Sequence, residues 1–118
     1  MNVKQLIHLT PQKIKYGLER TTQLLKKCSS PENFFLTIQI IGTNGKGSVT
    51  SMLSKILADA GHKVGTYSSP HLIKINERIQ LNGVPISNND INRFLKTYNT
   101  EIKNINPSFF EIMTVLAV

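Results

Sequence analysis

The chain has 118 residues, 40% of them hydrophobic, and a net charge of +7 at pH 7. This length allows one small domain or a piece of a larger one. The charge fits either a nucleic-acid surface or a site for anionic ligands, and the scattering of the lysines along the chain disfavours nucleic acid as a partner.

The sequence also indicates the cellular compartment of the protein. Its one cysteine, Cys28, excludes an intrachain disulfide, which favours a reducing environment. Residues Met1 to Thr10 lack the apolar core of a signal peptide, and no apolar run approaches the length that spans a membrane. We therefore expect a cytoplasmic protein with no membrane partner.

The first half of the chain predicts a helix, a strand, a glycine-rich turn and a second helix. Thr10-Pro11 is typical of a helix start and Ser29-Ser30-Pro31 of its end. Residues 34–41 are rich in β-branched and aromatic side chains, which predicts a buried parallel strand. After the turn, a helical stripe leads to a stop at Gly61. Its apolar members are Val49, Met52, Leu53, Ile56, Leu57 and Ala60.

The second half adds a strand at Val64–Tyr67, which would complete a right-handed parallel β-α-β unit. Asn82-Gly83 predicts a type I′ hairpin. An amphipathic helix is expected from Ile91 through Ile102, and a final helix from Ser108.

The resulting fold class is α/β, with a truncated P-loop-type parallel sheet flanked by helices and one β-hairpin. Since the last helix reaches Val118 without a cap, we expect residues 1–118 to form a single incomplete domain.

The clearest functional motif is the turn Gly42-Thr43-Asn44-Gly45-Lys46-Gly47-Ser48. Glycines let several backbone N–H groups converge on a phosphate, and the following helix adds its positive N-terminal end. Lys46 can neutralise β/γ-phosphate charge, and the Ser48 hydroxyl can ligate Mg²⁺. The spacing is a variant of the common P-loop, because Gly47 separates the lysine from the serine. An ordinary strand-to-helix turn is the alternative.

Four motifs together resemble the folylpolyglutamate synthase/dihydrofolate synthase family. They are the 42–48 loop, Ser68-Ser69-Pro70-His71-Leu72, Glu77-Arg78-Ile79 and Phe110-Glu111, in the family's order. The related Mur ligases share a loop like 42–46 but usually place Thr or Ser directly after the lysine, so Gly47 favours the folate branch. The resemblance covers essentially the whole chain. It implies the N-terminal part of a Mur-ligase-like ATPase domain, without the family's later elements or its C-terminal domain.

The resemblance implies an ATP-dependent amide ligation. A carboxylate of folate or dihydropteroate is phosphorylated to an acyl phosphate, and the amine of glutamate then displaces the phosphate. ATP and Mg²⁺ are the implied cofactors, and Lys46 is the implied catalytic residue. The implied nucleotide-binding residues are Gly42, Thr43, Asn44, Gly45, Lys46, Gly47 and Ser48.

The resemblance further suggests Ser48, Ser69 and Glu111 as metal ligands. Ser69 could instead merely shape the turn before Pro70. Glu111 could be the partner of Ser108 in a capping box, and the two roles need not exclude each other.

The resemblance also suggests His71 and Arg78 as residues that bind the substrate. His71 could instead be a loop histidine satisfied by the backbone. Arg78 could pair with Glu77 or face solvent.

Because the family's later elements are missing, we expect no ligase activity from this chain alone. It would be a truncated product or half of a split enzyme whose remainder is encoded separately. The alternative is a non-catalytic nucleotide-binding or interaction module. A nucleic-acid binder is the least favoured hypothesis, because it rests on net charge alone.

Overall fold

The computed structural model describes residues 1–9 and 16–118. These residues form two compact units, one from Met1–Phe35 with Asn88–Val118 and the other from Leu36–Ser87. The predicted helix start at Thr10-Pro11 lies outside the described residues.

The described residues contain six α-helices, three short β-strands and two 3₁₀ turns. The helices are α1 (Val3–His8), α2 (Glu19–Lys27), α3 (Lys46–Asp59), α4 (Asn88–Thr97), α5 (Asn99–Ile105) and α6 (Phe109–Ala117). The strands are β1 (Gly65–Tyr67), β2 (Ile79–Leu81) and β3 (Val84–Pro85), and the 3₁₀ turns are Pro31–Phe34 and Ile75–Arg78. None of these helices has the length and apolar character needed to cross a bilayer.

In the first unit, α2 contacts α5 and α6, α4 contacts α5, and α1 contacts α4. Apolar side chains from all five helices are buried in this unit, as amphipathic helices require. They are Leu6, Leu24, Ile91, Leu95, Ile102, Phe109, Ile112, Met113 and Val115.

The single helix expected from Ile91 through Ile102 is two helices, so that prediction was wrong in its detail. The break falls at Tyr98, whose backbone (φ −104°, ψ 22°) leaves the α-helical region. One turn earlier, the Thr97 hydroxyl donates a hydrogen bond to the carbonyl of Arg93 at 2.8 Å. Such back-bonding bends helices because it draws a carbonyl away from the regular ladder.

The final helix begins where the sequence predicts, at Ser108. Its hydroxyl accepts a hydrogen bond from the Glu111 N–H, and the Glu111 side chain accepts one from the Ser108 N–H. This reciprocal capping box satisfies two N–H groups that would otherwise lack partners.

The strands of the second unit form an antiparallel sheet in the order β1-β2-β3. Thr66 pairs with Gln80, which in turn pairs with Pro85. Between β2 and β3, Asn82 (φ 48°) and Gly83 (φ 79°) both have positive φ. A type I′ turn requires this geometry, so the predicted hairpin is confirmed.

The predicted parallel sheet is not formed by the described residues. β1 pairs antiparallel with β2, and residues 36–42 take part in no ladder. Phe35 is extended, and the Leu36 side chain is 99% exposed. β-Branched side chains favour extended backbone, but a strand also needs a neighbour for its N–H and C=O groups. No described segment supplies that neighbour.

The helix α3 follows the glycine-rich loop as expected and ends at Asp59, and Gly61 (φ 93°) lies just beyond it as the predicted stop. The Gly61 N–H donates to Ala58 at 3.0 Å and the His62 N–H donates to Leu57 at 3.1 Å, which is a Schellman end. The predicted apolar stripe is largely exposed, at Val49, Met52 and Ile56.

Candidate functional site

The glycine-rich loop ends at the N-terminus of α3. Gly45 is the N-cap residue and has a left-handed backbone (φ 76°, ψ 4°), which residues with a Cβ rarely adopt. No side chain caps this helix start. The first N–H groups of a helix have no partner inside it, so those of Lys46, Gly47 and Ser48 are not engaged within α3.

The Lys46 side chain folds back over this loop. Its Nζ donates a hydrogen bond to the carbonyl of Gly42 at 2.7 Å. The bond is exposed to solvent, and such contacts exchange partners at small cost. The ammonium is therefore held beside the helix start, where an anionic ligand would compete for it.

Gly47 has a different role from Gly45. Its φ lies outside the left-handed region, and, apart from its chain neighbours and the backbone of its own helix, an added Cβ would meet no described atom within 4 Å. Neither backbone strain nor contacts among the described residues therefore require glycine here. The missing side chain leaves room in front of the helix start for a ligand to approach the backbone.

A cleft of about 390 Å³ lies within the second unit, and Gly47 is among its lining residues. Most of its lining carries hydroxyl or amide groups from α3, from β1 and the residue after it, and from β2 with its turn. These residues are Thr50, Ser51, Ser54, Thr66, Ser68, Gln80 and Asn82. The cleft has the size of small-molecule sites, and its walls are more polar than is usual for them.

The second motif forms a loop at Ser68–Lys74, with a cis peptide bond between Ser69 and Pro70. The Glu77 carboxylate accepts hydrogen bonds from the N–H groups of Leu72 (2.9 Å), Ile73 (3.1 Å) and Lys74 (2.9 Å). These bonds, with that of Lys74 contributing most, hold the pKa of the Glu77 carboxyl below its ordinary range.

Arg78 and His71 are joined in the same loop region. Arg78 is 5% exposed, and its Nε donates a hydrogen bond to His71 Nδ1 at 2.8 Å. The alternative of a loop histidine satisfied by the backbone does not describe this ring, whose Nδ1 is satisfied by a side chain.

Glu111 lies in the first unit and is 8% exposed. Both carboxylate oxygens accept from Arg20 Nε at 3.1 Å, and Arg20 Nη2 lies 3.0 Å from Oε1. The Ser108 N–H donates to Oε2 at 2.7 Å. Burial raises the pKa of Glu111, but the hydrogen bonds from Arg20 and Ser108 outweigh it and leave that pKa below its ordinary value.

Sequence reasoning missed Arg20. It lies 91 residues from Glu111 in the chain, and no local pattern links the two. The capping role of Glu111, in contrast, was one of the two predicted alternatives, and the structure contains it.

The predicted site residues are divided between the two units. Ser48, Ser69, His71 and Arg78 lie in Leu36–Ser87, whereas Glu111 lies in the other unit. Within residues 1–9 and 16–118, no three His, Cys, Asp or Glu side chains are grouped to hold a metal ion.

The predicted ligands fit Mg²⁺ in part. Ser48 and Ser69 are exposed, and hydroxyl oxygens suit this ion. The oxygens of Glu111 are instead engaged by Arg20 and Ser108, so that carboxylate would have to exchange partners to bind a metal ion.

The chain matches known proteins in sequence and in fold, although no family model matches it. It is 36% identical over 110 residues to the Bacillus subtilis dihydrofolate synthase/folylpolyglutamate synthase, covering 88% of this chain and 26% of that protein. The folylpolyglutamate synthase of Thermotoga maritima superposes with a TM-score of 0.87 at 42% identity, over 98% of this chain and 28% of that one. The chain is therefore related to the folylpolyglutamate synthase/dihydrofolate synthase family.

A family structure with bound molecules is also similar. The E. coli FolC in complex with DHPP and ADP superposes with a TM-score of 0.85 at 30% identity, over 97% of this chain and 28% of that one. The chain thus spans about a quarter of the length of these family members.

Proposed function

We propose that this chain binds the phosphates of ATP through the 42–48 loop, as part of a folylpolyglutamate synthase/dihydrofolate synthase-like ligase. The observation that carries the proposal is the uncapped start of α3, with Lys46 beside it and open space at Gly47. The similarity to a family structure described as an ADP complex supports the same assignment.

Each part of the loop has a proposed task. The N–H groups of the first turn of α3 bind phosphate oxygens, and the helix dipole favours the negative charge. Lys46 neutralises the β/γ-phosphates and is the proposed catalytic residue, because phosphoryl transfer depends mainly on positioning and on charge stabilisation. Ser48 and Ser69 would hold Mg²⁺, which supplies further charge neutralisation when bound. Glu111 stays a predicted ligand that must first leave Arg20.

The complete reaction is proposed as amide ligation of glutamate to a folate or dihydropteroate carboxylate, with His71 and Arg78 on the substrate side. Such a reaction needs a site closed to water, because an acyl phosphate hydrolyses readily. The chain spans about a quarter of the length of its relatives, so it corresponds to a minor part of the surface that such closure would use. We therefore propose that ligation requires the rest of a family-like protein, in the same chain or in a separately encoded partner.

Titration of the chain with ATP in the presence of magnesium, followed by calorimetry, tests the binding step. A charge-assisted hydrogen bond contributes about 1.5–3 kcal/mol, so Lys46→Ala should weaken binding roughly ten- to a hundredfold. Lys96→Ala removes the same charge from the exposed surface of α4 and should leave the affinity unchanged. Equal affinity of Lys46→Ala and the unmodified chain, or no saturable binding by the unmodified chain, would overturn the proposal.

The Gly47→Ala variant provides a second, independent test of ATP binding by the loop. The new methyl group meets no described atom within 4 Å, and alanine is the better helix former, so the variant should fold at least as stably. It should nevertheless bind ATP more weakly, because the methyl group occupies space that the phosphates need. Unchanged affinity would show that the ligand does not approach Gly47.

A further inference from the structure

We infer that Glu77 and Arg78 are positioning residues that hold the Ser68–Lys74 loop in one shape and fix the tautomer of His71. The inference rests on the proposed function in one respect only, which is that this loop faces a ligand. Its geometric part stands on contacts within the second unit alone.

Glu77 and Arg78 hold the Ser68–Lys74 loop at its start, its centre and its end. At its start, the Ser68 N–H donates to the carbonyl of Arg78 at 2.8 Å, and at its centre the Arg78 Nε donates to His71 at the same distance. At its end, the Glu77 carboxylate accepts from the three N–H groups of residues 72–74. Five hydrogen bonds from one dipeptide therefore fix a seven-residue loop.

Burial does not hold this loop. Leu72 is 92% exposed and Ile73 is 83% exposed, so their side chains contribute little packing energy. The order of the backbone there depends on the Glu77 carboxylate, whose two charged oxygens accept from three converging N–H groups. A glutamine at position 77 would offer one oxygen and would turn an N–H₂ group towards the remaining donors.

The Arg78 contact decides which nitrogen of His71 carries the proton. A guanidinium only donates, so the Nδ1 that it contacts must accept with its lone pair. The proton of the neutral ring is then on Nε2. His71 is therefore presented as an N–H donor, which suits an acceptor oxygen on a ligand.

Amide hydrogen exchange of the complete chain, measured by NMR, tests the Glu77 part. Glu77→Gln should accelerate exchange of the Leu72, Ile73 and Lys74 amides at least tenfold. Asp59→Asn removes the other carboxylate that lies in a helix of the same unit, and it should leave those rates unchanged. Equal rates in Glu77→Gln and the unmodified chain would refute this part.

The Arg78 part has a spectroscopic signature that a general structural role would not produce. In the unmodified chain at about pH 8, above the ordinary pKa of histidine, His71 should be wholly the Nε2–H tautomer and should show ¹⁵N–¹⁵N coupling to Arg78 Nε across the hydrogen bond. The exposed His8 and His62 provide internal references for an unrestrained ring. Arg78→Lys keeps the charge but loses the planar Nε donor, so His71 should adopt the tautomer mixture of the references.

An Nδ1–H tautomer, or absence of the coupling in the unmodified chain, overturns the Arg78 part whether or not the variants fold. None of these measurements uses a nucleotide. Failure of ATP binding with the loop signals intact would therefore refute the proposed function alone, and the reverse result would refute the positioning roles alone.

Discussion

Replacing Glu111 with glutamine should lower the free energy of unfolding by about 1–3 kcal/mol at neutral pH. The substitution keeps the shape of the side chain and its capacity to accept from Ser108. It removes the charge that faces Arg20. The change in the free energy of unfolding therefore reports the ion pair and not the helix cap.

The magnitude follows from the environment of the pair. Removing one partner of a fully buried ion pair costs about 3–5 kcal/mol, because the other charge is left uncompensated. Here the Arg20 side chain is 24% exposed, so water can solvate part of its guanidinium after the change. The lower range of about 1–3 kcal/mol, which is the cost of leaving a buried hydrogen-bonding group without its partner, therefore applies.

The pH dependence has a definite sign. The folded pKa of Glu111 is lowered, while the unfolded value is near the ordinary glutamate pKa of about 4.3. The carboxylate therefore stabilises the fold above that unfolded value, and its contribution is lost as the pH falls through the folded pKa. The stability difference between the unmodified chain and Glu111→Gln should shrink accordingly below about pH 4.

Urea denaturation followed by far-ultraviolet circular dichroism measures both effects, and it suits a chain without tryptophan. Glu32→Gln is the matched control, since it removes an exposed carboxylate from the same unit and should change stability by less than about 0.5 kcal/mol. A Glu111→Gln variant as stable as this control, or a difference that does not shrink in acid, would refute the reasoning.

Three further substitutions test the local geometry, each by the same denaturation assay. Gly83→Ala should cost about 1–2 kcal/mol, because φ is 79° and the strain is in the backbone; equal stability would show that the turn can change type. Ser108→Ala should cost about 1 kcal/mol through loss of the α6 cap, and a neutral result would mean that the cap is replaced by water. Asp59→Asn should cost under about 0.5 kcal/mol, because its ion pair with Lys55 is exposed, and a larger loss would contradict that assignment.

Features that depend on adjacent residues were predictable from the sequence. The hairpin turn follows from Asn82-Gly83, since both positions must adopt positive φ and these residues do so at low cost. The end of α3 at Gly61 and the cap at Ser108 are likewise local hydrogen-bonding patterns. The motifs that resembled the synthase family were also short runs of neighbouring residues, and the comparisons confirm that resemblance.

Features that depend on distant residues were not predictable. The segment 34–41 has the composition of a buried strand, but whether it pairs depends on a neighbour that its own residues cannot specify. The contact between Arg20 and Glu111 is set by the packing of α2 against α6. The same limit applies to burial, since the apolar stripe of α3 has the correct period and yet is mostly exposed.

The three glycines of the 42–48 loop show how folding and binding requirements can be separated. The positive φ of Gly45 accounts for glycine there, whereas a Cβ on Gly42 would make only ordinary contacts at 3.6 Å and 3.8 Å, so the described neighbours do not require glycine at position 42. The same holds for Gly47, because neither its backbone nor any described neighbour excludes a side chain. A helix start normally favours a residue other than glycine at such a position, since glycine costs up to about 1 kcal/mol relative to alanine. Under the proposed function, a phosphate that approaches the bare backbone would account for this cost, and the ATP titration of Gly47→Ala tests that explanation.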